Sequence, residues 1–326
     1  MVMFSIIIPV KSINDYVRET MPHIQNLVGP QWELMVIPNE EEPNEWPGDD
    51  RIRVFPSGRV GPASKRDMGA LQANGDILVF LDDDSYPDKY FLQIAEEYFL
   101  NQTIVALAGP AITPPQDTFW QRVSGAVFLS KFSGGAPERY IPLGKPRPVQ
   151  DWPSVNLMVR RQDFLEIGGF DSPYWPGEDT KLCLDLSQKT KKTILYVPEM
   201  KVWHHRRAGL LAHLKQVGAY GLHRGYFAKM HPETSRKIKY FIPSFFSLFL
   251  IFSIFFNLYS LFFKNILLIG WIIYLSTLVK IFFDLKKYEN SKVVIISIPY
   301  IILSQFWYGI RFIQGLLVNN LKSNLR

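Results

Sequence analysis

A short apolar run that ends in three consecutive carboxylates constrains the fold of this chain more than any other feature. The run covers residues 77 to 81, and Asp82, Asp83 and Asp84 follow it directly. A uniformly apolar run of this length is typical of a strand that is buried on both faces, as in a parallel α/β sheet. Ligands of such sheets bind beyond the carboxyl ends of the strands. We therefore expect the three aspartates to face a binding cleft.

These adjacent aspartates repel one another unless a cation neutralises them. Carboxylate oxygens are hard ligands that suit Mg²⁺ or Mn²⁺, and Mg²⁺ is commonly held between carboxylates and the phosphates of a substrate. The acidic run therefore predicts a site for a divalent ion and a diphosphate. The alternative is a solvated loop that caps a helix starting near Pro87 and Asp88.

Strand and helix signals alternate along the amino-terminal part of the chain. The predicted elements are strands at residues 4–10, 33–37, 52–55 and 77–81 and helices at residues 14–28 and 63–72. Alternation of this kind predicts βαβ units and a parallel sheet. A further strand, a short helix and a Gly-Gly turn are predicted between residues 154 and 171, and another strand at residues 194–197.

Two predicted helix starts carry charged residues. Lys65 and Arg66 lie in the first turns of the helix that follows Pro62, where cations near a helix amino terminus can bind a diphosphate. Glu178 and Asp179 open another helix, and acids at that position are often simple caps. An acid held beside a diphosphate can also be a general base for a hydroxyl. The residues alone leave these alternatives open, including ordinary surface roles for both cations.

The composition changes sharply near residue 240. Residues 1–239 hold nearly all the carboxylates, whereas residues 240–317 are dominated by Phe, Leu, Ile and Tyr. Stretches at residues 241–263, 266–283 and 293–312 are long enough to cross a hydrocarbon core of roughly 30 Å as helices. The third stretch contains Pro299, Gln305 and Arg311, so an interfacial or re-entrant segment is the alternative there.

The charges next to these stretches predict their orientation. Residues 189–239 contain twelve Lys and Arg residues but only two carboxylates. Positively charged segments next to a membrane span usually remain in the cytoplasm. Residues 4–10 lack the features of a signal peptide, and the single Cys183 suits a reducing compartment. We therefore expect a multi-pass protein of the cell membrane whose amino-terminal domain is cytoplasmic.

The motifs occur together and in order, and as a set they resemble glycosyltransferase family 2. The matching residues are 5–10, 61–70, 81–84, Asn156 with Arg160 and Arg161, 168–171 and 177–179. The resemblance covers residues 4 to about 230, and carboxyl-terminal membrane spans are common in that family. It implies a glycosyltransferase domain at residues 1–230 and a juxtamembrane and membrane domain at residues 231–326.

The resemblance implies a GT-A nucleotide-diphospho-sugar transferase fold, a mostly parallel sheet flanked by helices, and inversion at the anomeric carbon. By position in the DXD motif, Asp82 approaches the nucleoside and Asp84 binds the Mn²⁺ or Mg²⁺ that bridges the donor's phosphates. Asp179, beside Glu178, is implied as the base that deprotonates the acceptor hydroxyl. The other donor-binding candidates are Pro9, Asn39, Lys65, Arg66, Asp67, Asp83 and Arg206, and His204 or His205 is a candidate to complete the metal shell.

Two segments depart from the family pattern. Relatives have a pair of aspartates that contacts the nucleobase at the place where this chain has Asn39 and Glu40. The identity of the donor's nucleobase is therefore left open. Residues 216–220 lack the Arg and Trp of processive members, which predicts one sugar per binding event. Residues 216–227 suit either an amphipathic helix on the bilayer or a helix whose aromatics pack in a core.

The predicted function is inverting, metal-dependent transfer of one sugar, of the hexosyltransferase class, from a nucleotide-diphosphate donor. The acceptor is a lipid-linked or nascent glycan at the cytoplasmic membrane face, in cell-envelope polysaccharide or glycan biosynthesis. The alternatives are a nucleotidyltransferase and a non-catalytic membrane scaffold or transport partner that retains the fold. The net charge of +6 comes largely from juxtamembrane bases, so we expect the lipid bilayer and no nucleic acid as a partner.

Overall fold

The computed structural model describes residues 2–256 and 261–321 of the chain. Two compact units are formed, and both are discontinuous in sequence. The first unit contains residues 2–112 and 141–205, and the second contains residues 113–140 and 206–321. The predicted division into domains near residue 230 stays a prediction.

The strands belong to the first unit and form two sheets. They are β1 (Phe4–Pro9), β2 (Trp32–Ile37), β3 (Ile52–Val54), β4 (Ile77–Phe80), β5 (Ser85–Pro87), β6 (Ile104–Ala108), β7 (Ala111–Ile112), β8 (Arg147–Val149), β9 (Leu157–Arg160), β10 (Thr193–Tyr196) and β11 (Val202–His204). The main sheet has the order β3-β2-β1-β4-β9-β6-β10-β8. Its first four strands are parallel, as is the β6–β10 pair, whereas β9 and β8 run antiparallel to their neighbours. This confirms the predicted, mostly parallel sheet.

The described helices are α1 (Asp15–Gln25), α2 (Pro62–Gln72), α3 (Phe91–Phe99), α4 (Phe119–Ala126), α5 (Arg161–Glu166), α6 (Glu178–Thr190), α7 (Leu210–Met230), α8 (Pro232–Ser235), α9 (Ile238–Phe256), α10 (Leu261–Leu285) and α11 (Ser291–Leu317). Local sequence explains two of their starts. The Asn14 side chain accepts a hydrogen bond from the Val17 N–H and caps α1, and Pro62 lies in the first turn of α2.

The segment after the three aspartates does not form the helix start that the capping alternative requires. Residues 85–87 form β5, which pairs with β11, and α3 begins only at Phe91. The aspartates therefore do not cap a helix at Pro87 and Asp88, because a strand occupies that place.

Helices cover both faces of the main sheet. Successive side chains of a strand point to opposite faces, so Ile6 and Ile8 pack on one side and Ile7 on the other. The first face meets apolar residues of α1 and α3, and the second meets α2, α5 and α6. Burial on both faces is what the uniformly apolar strands require, and the predicted flanking helices are thereby confirmed.

The second unit is built on close contact between α7 and α11. A Cβ atom added to Gly225 would lie 2.1 Å from the carbonyl oxygen of Phe312, and one added to Gly315 would lie 2.0 Å from that of Leu222. Tyr226 and Phe227 are buried. This supports the packing alternative for residues 216–227, whereas a position on the bilayer stays a prediction.

Residues 113–140 join the same unit through polar contacts. Arg122 pairs with Glu289 at 2.5 Å, and the Ser130 hydroxyl donates to the Asp284 carboxylate at 3.0 Å. These contacts tie α4 and the loop after it to the end of α10 and the start of α11.

Two described segments are long and apolar enough to cross a membrane, Lys264–Leu285 and Ser291–Leu317. They match the second and third predicted spans in position. The most apolar window of the former is 6% buried inside the protein and that of the latter 39%. The first predicted span, at residues 241–263, includes residues 257–260, which lie outside the described residues. Its described part overlaps the shorter apolar helix Ile238–Ser253, so this span stays a prediction.

Candidate active site

A cluster of metal-ligand type lies beyond the carboxyl end of β4, within the first unit. One possible ligand atom from each of Asp82, Asp84 and His204 lies within 4.8 Å of the other two. His204 Nε2 is 3.1 Å from Asp84 Oδ1, and Asp84 is only 4% exposed. The cluster therefore combines two carboxylates with one imidazole.

Backbone pairing explains how residues so distant in sequence meet. A tight turn follows β4, in which the Ser85 N–H donates to the Asp82 carbonyl oxygen at 3.2 Å. β5 then pairs antiparallel with β11, and Ser85 lies opposite His204. The His205 N–H also donates to the Asp84 carbonyl oxygen at 3.0 Å. The histidine is thus fixed beside the acidic turn by main-chain hydrogen bonds.

Arg66 of α2 joins this cluster to the second acidic motif. Its Nη2 donates to Asp82 Oδ1 at 2.6 Å, and its Nη1 is 3.4 Å from Glu178 Oε1. The guanidinium is 3% exposed and lies over the Phe170 ring at 5.5 Å. Arg66 Nε and Glu178 Oε2 have no hydrogen-bond partner among the described residues. Two motifs that are far apart in sequence therefore form one connected site.

The acidic pair itself has two different environments. Glu178 is 5% exposed, and burial, with the negative charge of Asp179 second, raises the pKa of Glu178 to about 8. Asp179 is half-buried, and its Oδ1 accepts a hydrogen bond from the Thr180 N–H at 2.7 Å. Gly177 precedes the pair at a φ of 120°, a conformation that favours glycine. Burial and the neighbouring negative charge therefore both favour the neutral form of Glu178.

Lys65 lies beside Arg66 in sequence but has a different set of partners. Its Nζ donates to the carbonyl oxygens of Val10 and Ile37, at 2.5 and 3.1 Å, and to Asn39 Oδ1 at 2.7 Å. Burial lowers the pKa of Lys65 to about 8. An ammonium group has three protons to donate, and all three are used here. Lys65 therefore holds the ends of β1 and β2 together and orients Asn39.

Asp67 and Asp83 make contacts of their own. Asp67 Oδ1 accepts a hydrogen bond from the Phe170 N–H at 2.9 Å, and burial raises the pKa of Asp67. This contact holds the turn at Gly169, which has a φ of 74°. Asp83 Oδ2 accepts from the Asn14 side chain at 2.9 Å. Pro9, at the end of β1, lies opposite Ile37 of β2 at the same edge of the sheet.

His205 and Arg206 lie outside the cluster. The His205 ring stacks on Tyr16 at 4.6 Å, and its Nε2 is 3.2 Å from a Glu19 oxygen. Adjacent residues of an extended chain point to opposite sides, so His204 and not His205 reaches the carboxylates. Arg206 belongs to the second unit, where its Nε donates to the Thr113 hydroxyl at 3.0 Å. Its predicted contact with the donor stays a prediction.

Sequence reasoning missed the contacts that α1 makes at this site. Tyr16, Glu19 and His23 are spaced three and four residues apart, the spacing of one helix face. That spacing was a usable signal, but it did not identify His205 and Tyr86 as the rings that Tyr16 and His23 contact.

The sheet with its flanking helices has the fold of GT-A glycosyltransferases, as the sequence resemblance implied. A crystal structure of GalNAc-T7 with UDP, GalNAc and Mn²⁺ has a similar fold, with a TM-score of 0.51 and 16% identity. The match covers 72% of this chain and 51% of that chain. A structure of S. aureus TarS gives a TM-score of 0.41 and 14% identity, over 68% of this chain and 39% of that chain.

The chain belongs to the family described as glycosyl transferase family group 2, which matches its residues 77–307. This confirms the family that the motifs indicated. The pre-mycofactocin glycosyltransferase of Mycobacterium tuberculosis, from strains CDC 1551 and H37Rv, is 27% identical over 178 residues. That match covers 53% of this chain and 36% of the relative's length.

Proposed function

We propose that the protein transfers one sugar from a nucleotide-diphosphate donor to an acceptor hydroxyl, with inversion at the anomeric carbon. The observation that carries this proposal is the Arg66 bridge. It connects the carboxylates at the end of β4, which suit a metal-bound diphosphate, to the acidic pair at the start of α6. A displacement reaction needs both parts close together, one for the leaving group and one for the nucleophile.

The residues Asp82, Asp84 and His204 fit a divalent ion. Two carboxylates and one imidazole suit Mn²⁺ better than Mg²⁺, because Mg²⁺ prefers oxygen ligands and Mn²⁺ accepts nitrogen more readily. When bound, such an ion offsets the charge that builds up on the departing nucleoside diphosphate. The Mn²⁺ and UDP in the similar GalNAc-T7 structure support this choice of ion and donor class.

Asp179 is our candidate for the general base. Burial raises the pKa of Glu178, which favours its neutral form and makes Glu178 the weaker candidate of the two. The Asp179 carboxylate would take the proton of the acceptor hydroxyl while that oxygen attacks the anomeric carbon. The bond from the anomeric carbon to the diphosphate oxygen breaks in the same step, which inverts the centre without a covalent intermediate. Arg66 holds Glu178 and Asp82 at fixed positions during this step.

The proposed acceptor is a lipid-linked or nascent glycan at the cytoplasmic face of the cell membrane. The low burial of α10 supports attachment to a bilayer, because a helix this apolar is unfavourable in water. The lysines that follow α10, at residues 286, 287 and 292, support a cytoplasmic location of that end. A role in cell-envelope polysaccharide or glycan biosynthesis follows from such an acceptor.

The test is release of nucleoside diphosphate by the full chain, purified in detergent, from a panel of UDP-, GDP- and dTDP-sugars. Each donor is measured with Mn²⁺ and with EDTA, for wild type and Asp84→Asn. We expect metal-dependent release from one donor that falls at least about 1,000-fold in Asp84→Asn, since metal stabilisation of the leaving group contributes several kcal/mol.

Asp50→Asn is the matched control, because Asp50 is an exposed acid and the change in charge is the same. It should release the nucleotide at the wild-type rate. Release of pyrophosphate instead would favour a nucleotidyltransferase, and failure to bind any nucleotide would favour a scaffold or transport partner. Equal rates with Mn²⁺ and EDTA would contradict metal dependence.

A further inference from the structure

His205 connects the acidic turn to helix α1. Its backbone N–H donates to the Asp84 carbonyl oxygen at 3.0 Å, and the preceding residue, His204, reaches the Asp84 carboxylate at 3.1 Å. The side chain of His205 points away from the cluster and is 8% exposed. Any displacement of His205 therefore moves its neighbour His204 and the main chain of Asp84 together.

Two side chains of α1 hold the His205 ring. The Tyr16 ring stacks on it with the centroids 4.6 Å apart and the planes at 27°. Glu19 Oε2 is 3.2 Å from His205 Nε2. Tyr16 and Glu19 are three residues apart, so they lie on one face of α1. The Tyr86 ring, 5.9 Å away, contacts the same imidazole.

Helix α1 also holds the acidic turn directly. The Asn14 side chain donates to Asp83 Oδ2 at 2.9 Å, and the Thr20 hydroxyl donates to the Ser85 carbonyl oxygen at 2.8 Å. His23 stacks on Tyr86 at 4.2 Å, which fixes the strand that follows. The N-cap and one face of α1 therefore contact the chain on both sides of Asp84, whereas neither Tyr16 nor Glu19 belongs to the cluster of metal-ligand type.

We infer that Tyr16 and Glu19 are positioning residues for the divalent-metal site, which act through His205 on Asp84 and His204. The inference rests on the proposed function in one respect, because it requires that the cluster binds a metal ion. Outer-shell partners that orient metal ligands typically change metal affinity 10- to 100-fold when they are removed. Loss of the Glu19 contact or of the Tyr16 ring should therefore weaken metal binding without removing a ligand.

The experiment is a titration of the full chain in detergent with Mn²⁺ alone, in which free Mn²⁺ is measured by electron paramagnetic resonance. We expect Glu19→Gln to raise the Mn²⁺ dissociation constant about tenfold. Asp15→Asn is the matched control on the same helix, since the Asp15 side chain is 99% exposed and its ion-pair partner is Arg18. The two variants lose the same charge on the same helix, so Asp15→Asn shows how much the change in net charge alone alters Mn²⁺ binding.

A second pair of variants tests the stacked ring. Tyr16→Leu should weaken Mn²⁺ binding by a similar factor, and Tyr16→Phe, which keeps the stacked ring, should weaken it less than Tyr16→Leu does. Thermal unfolding in EDTA gives the stability of each variant in the absence of metal. If Glu19→Gln and Tyr16→Leu bind Mn²⁺ as wild type does, the positioning role is overturned while the metal site stands. If wild type does not bind Mn²⁺, the proposed metal site fails, and the inference fails with it.

Discussion

The two units bury different kinds of polar side chain. The first unit buries the charged groups of Lys65, Arg66 and Asp84 at one edge of its main sheet. The second unit buries mainly serine, threonine and histidine side chains, and some of these hydroxyls, such as that of Ser247, bond helix carbonyl oxygens.

This difference indicates what each group of residues is for. Burial of a charge costs several kcal/mol unless it is well paired, so a cluster of buried charges is a poor way to stabilise a fold. A buried hydroxyl that bonds a backbone carbonyl has little such cost. We therefore expect an isosteric, neutral substitution beside this cluster, such as Asp179→Asn at a half-buried position, to change activity more than stability. Substitutions in the helix contacts of the second unit should have the opposite effect.

The largest effect that this comparison predicts is the loss of activity in Asp179→Asn. A general base contributes about 10²- to 10⁴-fold to the rate, so we expect a loss of roughly 1,000-fold in sugar transfer. Donor binding, measured by calorimetry with the nucleoside diphosphate and Mn²⁺, should stay at the wild-type value. Thermal unfolding should shift little, and transfer at the wild-type rate would remove Asp179 as the base.

For Gly225→Ala in the second unit we expect a loss of stability rather than a direct loss of activity. Its Cβ would lie 2.1 Å from the Phe312 carbonyl oxygen, so α7 and α11 must separate. Overpacking of this kind costs about 1–3 kcal/mol, which should lower the midpoint of thermal unfolding measured in detergent. Gly48→Ala is the control, since its added Cβ would meet no atom of the described residues within 4 Å. Equal midpoints for the two variants would contradict the close contact between these helices.

A smaller, pH-dependent effect is expected from His213, whose Nε2 is 2.9 Å from the Ser304 hydroxyl. Burial lowers the pKa of His213 from 6.5 to about 4. As the pH falls from 6.5 towards 4, His213 therefore gains a proton in the unfolded chain while it stays neutral in the folded one. Stability is complete above pH 6.5 and falls as the pH drops towards 4, by up to about 1.4 kcal/mol per pH unit.

The measurement for His213 is thermal unfolding of wild type and His213→Gln at pH 7 and pH 5. Glutamine keeps a hydrogen-bonding group near Ser304 but does not titrate, so the variant should lose less stability at pH 5 than wild type. An equal loss in both proteins would assign the acid sensitivity to other groups.

The smallest effect on sugar transfer is expected for Glu178→Gln. Because the pKa of Glu178 is raised to about 8, its side chain is mainly neutral at pH 7, and glutamine is a neutral replacement of the same shape. We expect transfer at pH 7 to fall less than about tenfold, which corresponds to 1.4 kcal/mol. A raised pKa means that the folded state loses stability as the pH rises from 4.5 through 8, and the variant should lack this loss. A 1,000-fold loss of transfer at pH 7 would instead assign Glu178 a direct role in the reaction.

Much of the first unit could be predicted from its sequence because local signals agree with the fold there. The apolar runs of β1 and β4 and the carboxylates after β4 are such signals. The partners of Lys65 could not be predicted in this way, because they depend on how α2 lies against the ends of two strands. The contact of Asp67 could not be predicted either, because the turn at Gly169 that it holds comes about a hundred residues later in the sequence.

The choice between His204 and His205 was open in sequence for a different reason. Neighbouring residues of a strand face opposite ways, so a shift of one residue in the register of β11 would exchange their roles. The 39% burial of the window in Ser291–Leu317 likewise depends on contacts with α7, α9 and α4, and hydropathy does not report such contacts.

The alternation of the two units along the sequence has a practical consequence for shortened forms of the protein. Residues 113–140 lie between β7 and β8 in sequence, yet Arg122 and Ser130 contact Glu289 and Asp284 near the carboxyl end. A fragment that ends at residue 230 would keep this segment but lose those partners and α11. We expect such a fragment to expose the apolar face of α4, to aggregate during expression and to be cut by proteases within residues 113–140.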